Sequence, residues 1–181
     1  MRIRLALDEG AERALQGFSD AWGWDADANV AEAEARLVLA AWRSTREPAA
    51  IRYLDEPALG LRLLEVTGEG AEDVASWIRL LVPCRAREDL STEIARLSDP
   101  PSFVDLMHLA AALGDPDELD PELFLVVGNG FVHFDPRVRE AAILATCYLP
   151  WPQFRRALER LSESDPDLEV RAKAAERLVA S

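Results

Sequence analysis

The stretch DPRVREAA at residues 135–142 returns 32 residues later as DLEVRAKA at residues 167–174. Asp, Val, Arg and the final Ala keep their places in both copies. A repeat of this length, with a second helix between the copies, is typical of stacked helical arrays. The repeat therefore predicts that the C-terminal half of the chain is built from helices that pack on one another.

The residues on either side of the repeat extend this helical pattern. Apolar residues recur at helical spacing from Val138 to Leu149, and again in the segment after Pro150-Trp151-Pro152. A helix beginning near Ser102 places Leu106 32 residues before Val138. This helix is therefore a candidate third copy of the repeated unit.

Two interpretations fit the segment between the candidate third copy and the first clear one. Asp120 and Pro121 are a suitable N-cap and first residue for a helix that ends at Asn129-Gly130. The same Asn-Gly pair also fits the turn of a β-hairpin between residues 123–127 and 131–134. The helical pattern on both sides favours the helix.

The paired Asp-x-x-Val-Arg-x-x-Ala segments resemble HEAT repeats, in which two-helix units stack into a right-handed superhelix. The resemblance covers roughly residues 100–181, and it is sharp only in the two copies at 135–142 and 167–174. It implies a polar ladder between neighbouring repeats, formed by Asp135, Arg139, Asp167 and Arg171. This implied role is structural, so the resemblance indicates no catalytic residue among them.

The N-terminal half mixes strand and helix patterns. Residues 2–7 alternate in polarity and predict a strand, and residues 50–66 predict two strands joined by a turn. Other predicted elements are helices at Asp8–Phe18, from Val30 to about Arg46 and at Glu72–Leu81, with a loop at Ser19–Asn29. The order of strands and helices resembles the start of a ferredoxin-like split βαβ unit. An all-helical arrangement of everything before residue 90 is the alternative.

These patterns together predict a mainly α protein with two regions. Residues 91–181 are expected to form a HEAT-like α-α superhelix. Residues 1–90 are expected to form either an α/β region, with a small sheet and a β-hairpin, or a region that is helical throughout.

The charge of the chain is acidic and evenly spread. The formal net charge is −13 over 181 residues, with −6 in residues 1–90 and −7 in residues 91–181. A composition with 49% hydrophobic and 29% charged residues is ordinary for a globular protein. Because an acidic field repels nucleic acid and anionic membranes, the charge argues against both and favours a protein partner, in principle a basic one.

Three features predict the cellular context. Nineteen of the 20 basic residues are Arg, a bias that suggests a GC-rich bacterium. Cys84 and Cys147 form no CxxC pair and are expected to be buried, reduced thiols, as in a cytoplasmic protein. The charged N-terminus is unlike a signal peptide, and no apolar run approaches the ~18 residues of a membrane span. The prediction is a cytoplasmic protein without a membrane segment.

No set of residues in the sequence points to catalysis. A Cys–His nucleophile would need Cys147 close to His108 or His133, and their spacing gives no indication of this. The motifs of phosphate-binding loops, serine hydrolases and zinc proteases do not occur. We therefore predict that the protein is not an enzyme and that it uses no cofactor or metal.

Three groups of residues are candidates for contacts with a partner. The candidates are Trp22, Trp24, Asp115, Asp117, Glu118, Arg155 and Arg156. The two tryptophans, if exposed, are suited to anchor an interface, although they also suit pinning their loop to the domain. The acidic residues belong to a dense acidic loop, and the arginines form a small basic helix face. Helix capping and solvated surface explain these last two groups as well.

The leading hypothesis is a non-catalytic interaction scaffold or adaptor that holds another macromolecule on a helical-repeat surface. One alternative is an immunity or antitoxin-type protein whose acidic surface covers a basic toxin. Another is an enzyme on a HEAT-like scaffold, such as a DNA glycosylase or a bilin lyase, which requires a basic groove or a reactive residue.

Overall fold

The computed structural model describes residues 1–26, 37–95, 97 and 99–180. The chain divides into two compact units, Met1–Asp89 and Leu90–Ser181. This division falls one residue from the boundary that the sequence predicts between its two regions.

The strands in the described part of the chain belong to the N-terminal unit. They are β1 (Arg2–Leu7), β2 (Asp25–Ala26), β3 (Leu37–Arg43), β4 (Ala49–Glu56), β5 (Leu61–Gly68) and β6 (Cys84–Arg85). The helices are α1 (Glu12–Trp22), α2 (Ala71–Leu81), α3 (Leu90–Ala95), α4 (Pro100–Leu113), α5 (Pro121–Gly130), α6 (Pro136–Tyr148), α7 (Arg155–Ser164) and α8 (Leu168–Val179). Single 3₁₀ turns lie at Arg87–Asp89 and Pro152–Phe154.

The N-terminal unit is built on a sheet whose described strands run in the order β2-β3-β4-β5-β1-β6, with every neighbouring pair antiparallel. The predicted mainly α fold class is therefore wrong, and the chain has a mixed α/β fold. The predicted strand at β1 and the predicted β4–β5 hairpin are confirmed. The all-helical alternative and the ferredoxin-like arrangement are both wrong, because the sheet exists and β1 pairs antiparallel with β5.

The helix predicted from Val30 to about Arg46 is wrong where the structure describes it, and residues 30–36 lie outside the described residues. Strand β3 occupies this place and pairs with β4. Its register shifts between Val38 and Ala40, so Leu39 is an extra residue in a β-bulge. A bulge breaks the alternation that marks a strand in sequence, and this explains why the pattern here looked helical.

One face of the sheet and helices α1 and α2 form the core of the N-terminal unit. Ile51, Leu64 and Val66 are completely buried there, together with residues of both helices. On the opposite face Arg4, Glu65 and Arg52 occupy one cross-strand row. The carboxylate of the buried Glu65 accepts a hydrogen bond from Arg4 at 3.3 Å and lies 3.7 Å from Arg52.

Helix α1 continues past the predicted end at Phe18 and stops at Trp22. Gly23 then takes a left-handed conformation, with φ of 63°, and its N–H bonds to the last turn. An interior glycine costs a helix about 1 kcal/mol relative to alanine. Burial of Leu15 and Phe18 on either side of Gly17 outweighs this cost, since each large apolar side chain contributes about 1.5–3 kcal/mol.

The described elements of the C-terminal unit are helices and one 3₁₀ turn, and they form two layers. In one layer α6 packs against both α4 and α8, while α5 contacts α4 and α6, and α7 contacts α8. Each helix of the first layer begins at a capping aspartate, either Asp99, Asp135 or Asp167, whose side chain accepts a backbone N–H of the first turn. The helix that the sequence predicts to begin near Ser102 begins at Pro100, and the backbone N–H of Ser102 donates to the Asp99 cap.

The segment between α4 and α6 is the helix α5, so the β-hairpin alternative is wrong. Asp120 caps this helix as predicted, by accepting the backbone N–H groups of Glu122 and Leu123. Gly130 is the last residue of this helix. A Cβ at this position would approach Met107 and Ala142 to 2.8 Å, so a glycine allows α5 to pack closely on its neighbours.

Candidate binding groove

The C-terminal unit has a groove of about 770 Å³ lined by α4, α6 and α8. Because α6 packs between the other two helices, its side chains Ala141 and Leu144 form the floor, and α4 adds Pro101 and Val104. Charged side chains from all three helices surround this apolar strip. We call this site the α4–α6–α8 groove.

The 32-residue repeat places these side chains together. Leu106, Val138 and Val170 are equivalent in the repeat, and all three are buried in the unit. Ala110, Ala142 and Ala174, one turn further along, are completely buried. Corresponding positions of the repeat face the same way on all three helices. One set of corresponding positions therefore points into the core, and another set points into the groove.

The basic side chains of the groove already have partners within the protein. Lys173 lies 2.6 Å from Glu140 and 3.0 Å from Glu169. Arg137 lies 2.7 Å from Asp135. Hydrogen bonding to Arg137 lowers the pKa of Asp135 to about 2.

The third basic side chain of the groove joins two of its helices. Arg177 on α8 donates to the hydroxyl of Thr146 at 3.0 Å and to its backbone carbonyl at 2.8 Å. That carbonyl is one of the unpaired acceptors in the last turn of α6. A cation at this end of a helix also interacts favourably with the helix dipole, so Arg177 stabilises the groove wall.

Unlike these cations, two acidic side chains of the groove have no partner among the described residues. Asp105 on α4 and Glu176 on α8 are both exposed and line the groove from opposite sides of α6. Within the described part of the chain, neither side chain forms a hydrogen bond or an ion pair. The groove therefore offers two carboxylates for an outside partner and keeps its cations occupied.

Cys147 and His108 both line the groove, so the structure places them in one cavity. Among the described residues, Cys147 forms no hydrogen bond to His108 or to His133. The prediction of two buried thiols is wrong for Cys147, which is exposed because it lies on the groove face of α6. Cys84 is half-buried, and burial raises its pKa to about 11.

His133 has a structural role at the beginning of α6. Its Nδ1 accepts the backbone N–H of Asp135 at 3.1 Å, so the ring nitrogen helps to order the turn before the helix. The ring packs against Phe103 and Phe134, with centroid separations of 4.7 and 4.4 Å. These contacts make His133 a packed histidine at the start of the helix.

The polar link between the repeats differs from the ladder that the HEAT resemblance implies. Arg139 is buried and makes two hydrogen bonds of 2.8 Å to Asp165, and it also donates to the carbonyls of His133 and Phe134. Asp135 and Asp167 cap their own helices instead. Burial alone raises the pKa of Asp165, but the hydrogen bonds from Arg139 and from a backbone N–H lower it overall.

The fourth member of the implied ladder also bonds to the turn that Asp165 begins. Arg171 donates to the backbone carbonyl of Asp165. The sequence interpretation therefore identified both arginines and missed Asp165, which is 30 residues after Asp135 and outside the repeated motif.

The predicted tryptophan anchors lie in an aromatic cluster of the N-terminal unit. Trp24 is 9% exposed and packs edge-to-face on Phe18. Trp22 is half-buried, stacks on Phe18 and Trp77, and has the guanidinium of Arg46 4.6 Å from its ring. These contacts match the alternative interpretation, in which the tryptophans fix this part of the chain to its domain.

The acidic candidates form an ordered turn after α4. Asp115 accepts the backbone N–H of Asp117 at 2.8 Å, and its carbonyl accepts the indole N–H of Trp151. Glu118 is exposed. No group of three or more potential metal ligands occurs among the described residues.

The basic candidates Arg155 and Arg156 are exposed on α7 and do not line the groove. Arg155 pairs with Glu159 one turn later, at 3.0 Å. Such exposed pairs contribute at most about 1 kcal/mol. Within the C-terminal unit, neither the acidic nor the basic candidates are among the residues that line the groove.

The sequence interpretation missed the groove residues because it depends on the positions that the repeated segments share, and the groove positions differ between the copies. The offset of 32 residues that aligns Val138 with Val170 also aligns Leu144 with Glu176 and Asp105 with Arg137. Applying the repeat to the outward positions would have grouped these side chains on one face.

Comparisons with known proteins give no relationship: no family model, curated protein or solved structure matches this chain. No helix in the described ranges is both long and apolar enough to cross a membrane. Conclusions about function therefore depend on the geometry of the groove.

Proposed function

We propose that this chain is a non-catalytic protein-interaction module that holds a segment of a partner protein in the α4–α6–α8 groove. The observation that carries the proposal is the combination of an apolar floor with charged side chains from three equivalent helices. A large open apolar strip with a polar rim is the usual composition of a protein-binding surface.

The dimensions of the groove favour a chain segment over a compact small molecule. The lining helices contain 14, 13 and 12 residues, which corresponds to about 18–21 Å of helix. The polar lining residues come from all three helices, whereas a typical small-molecule site has a few polar groups that converge on the ligand. An elongated partner segment makes use of this layout.

The electrostatics favour protein over nucleic acid. The net charge is −13, and each basic side chain of the groove has an acceptor inside the protein. Nucleic-acid binding depends on cations that are available to phosphates. A cytoplasmic location is part of the proposal and is supported by two free cysteines, which suit a reducing compartment.

Site-specific photo-crosslinking from the groove tests the proposal. Cys147 is exposed in the groove and can carry a thiol-reactive photo-crosslinker, in a Cys84→Ser background. After incubation in lysate of the source cells and irradiation, we expect one or a few proteins to be crosslinked reproducibly. The crosslinked peptide, identified by mass spectrometry, should be a single segment of each partner.

The matched control places the same crosslinker on the surface outside the groove. Leu125 is 63% exposed on α5, so Leu125→Cys in a chain without the natural cysteines serves this purpose. Leu144→Asp, which introduces a charge into the floor, should abolish crosslinking from Cys147, whereas Leu125→Asp should not. Identical protein patterns from the two crosslinker positions would contradict the proposal.

A further inference from the structure

The proposed function does not specify the charge of the bound segment. The charged side chains of the groove indicate which charge that segment carries. Asp105 and Glu176 are the exposed groove carboxylates that form no interaction within the described part of the chain. The groove cations are hydrogen-bonded to Asp135, Glu140, Glu169 and Thr146. An occupant with positive charges gains two new ion pairs, while an acidic occupant meets two uncompensated carboxylates.

The positions of the two carboxylates define where the occupant's cations lie. Asp105 and Glu176 stand on the two walls, with α6 between them. Through the 32-residue repeat, Glu176 corresponds to Ala112 on α4, seven residues after Asp105. Seven residues of helix span about 10 Å, so the carboxylates lie on opposite walls and about two helical turns apart along the groove.

The shape of the groove accommodates a helix. Neighbouring packed helices lie about 8–10 Å apart, which puts α4 and α8 about 16–20 Å apart across α6. A helix with side chains is about 10–12 Å wide, so one that lies over α6 reaches side chains on both α4 and α8. Its apolar stripe then contacts Val104, Ala141 and Leu144.

From these observations we infer that the α4–α6–α8 groove binds a basic amphipathic helix of the partner. The helix places apolar residues on the groove floor. Lys or Arg side chains on the two edges of its apolar stripe, about two turns apart, pair with Asp105 and Glu176. Recognition by this geometry follows the general mode in which an amphipathic helix enters an apolar groove. The inference rests on the proposed function, which it makes more specific.

Fluorescence anisotropy with four labelled synthetic peptides tests the inference on the full chain. The first peptide is an amphipathic helix of about 18 residues with a Leu stripe and Lys on both edges. The second replaces Lys by Glu, the third has the composition of the first in scrambled order, and the fourth has a central Pro that prevents helix formation. We expect the first peptide to bind measurably tighter than the other three.

Single variants of the protein test the role of each carboxylate. Asp105→Asn and Glu176→Gln should each weaken binding of the basic peptide by ~2- to 5-fold, the effect of an exposed ion pair, and their effects should multiply in the double variant. Glu163→Gln is the matched control, because Glu163 is exposed on α7 of the same unit and does not line the groove. It should leave binding unchanged.

The outcomes separate this inference from the proposed function. The inference that the bound segment is basic is overturned if the Glu and Lys peptides bind equally, or if Asp105→Asn and Glu176→Gln have no effect. If the Pro-containing peptide binds as tightly as the first peptide, the bound segment is not a helix. If the scrambled peptide binds as tightly as the first peptide, the groove does not recognise an amphipathic stripe. The proposed function survives each of these results if crosslinking from Cys147 still captures a protein segment, and it fails if that crosslinking fails.

Discussion

At the scale of single residues, one buried ion pair connects the repeated helices. The side chains of Arg139 and Asp165 are 8% and 2% exposed, and two hydrogen bonds of 2.8 Å join them. Arg139 also holds two backbone carbonyls in the turn before α6. Because both charges are removed from water, each depends on the other for compensation.

We predict that Arg139→Ala destabilises the protein strongly. The substitution leaves the Asp165 carboxylate buried without its main partner, and losing one partner of a buried pair costs about 3–5 kcal/mol. Urea unfolding followed by circular dichroism measures this loss. A cost below about 1 kcal/mol would show that Asp165 finds compensation elsewhere.

The neighbouring arginine provides a control for this measurement. Arg137 pairs with Asp135 on the same helix, but its side chain is 66% exposed. Arg137→Ala should therefore cost no more than about 1 kcal/mol, as exposed ion pairs do. The contrast between the two variants separates burial from the simple presence of an ion pair.

At the scale of helices, close packing between α5 and its neighbours depends on one glycine. A Cβ at Gly130 would lie 2.8 Å from Ala142 Cβ and 2.8 Å from the sulfur of Met107. Both contacts are too short for carbon and sulfur atoms, so either the helices separate or the side chains shift. Overpacking of this kind typically costs about 1–3 kcal/mol.

We therefore expect Gly130→Ala to lower the free energy of unfolding by about 1–3 kcal/mol. Gly128 on the same helix is the control, because a Cβ there meets nothing within 4 Å. Gly128→Ala should be neutral or stabilising by up to about 1 kcal/mol, since alanine favours the helix. Thermal and urea unfolding of the two variants make the comparison, and equal stability of both would contradict the close approach.

Strand β3 is an element whose structure differs from the one that its sequence pattern predicts. Leu37–Arg43 was predicted as part of a helix, and pairing with β4 makes it a strand. The bulge at Leu39 shifts the side chains after it to the other face, so the local sequence lacks strict alternation. Backbone hydrogen bonds to a partner strand determine the conformation of such a segment. The sequence of the segment itself does not show that the partner strand is there.

At the scale of the whole molecule, the net charge of −13 opposes folding through repulsion between like charges. Raising the NaCl concentration from about 10 mM to about 150 mM shortens the screening length from ~30 Å to ~8 Å. We predict that this change at neutral pH raises the melting temperature by about 2–4 °C, the shift that ~1 kcal/mol produces in a chain of this size.

Differential scanning fluorimetry measures this effect. The control is the same salt series near the isoelectric point of ≈ 4.6, where the net charge vanishes and the shift should shrink. A fall in melting temperature with salt at neutral pH would show that attractive surface pairs outweigh the repulsion.

The sequence by itself determined the elements whose signals are local. The capping pair Asp120-Pro121 identified the start of one helix, the repeated segments identified the helices that contain them, and the alternation of Arg2–Leu7 identified a strand. A cap or an amphipathic stripe involves neighbours within one or two turns, so a single sequence contains the whole signal.

Only the tertiary structure decided the fold class, the partner of Arg139 and the groove. Each depends on residues that are distant in sequence: β1 pairs with β5, Arg139 bonds to Asp165, and α4 and α8 both pack against α6 to line the groove. The repeat predicts that the three helices bury corresponding positions. The curvature of the layer that they form decides whether their outward side chains line a common groove. Packing between layers sets that curvature, and a one-dimensional pattern does not contain it.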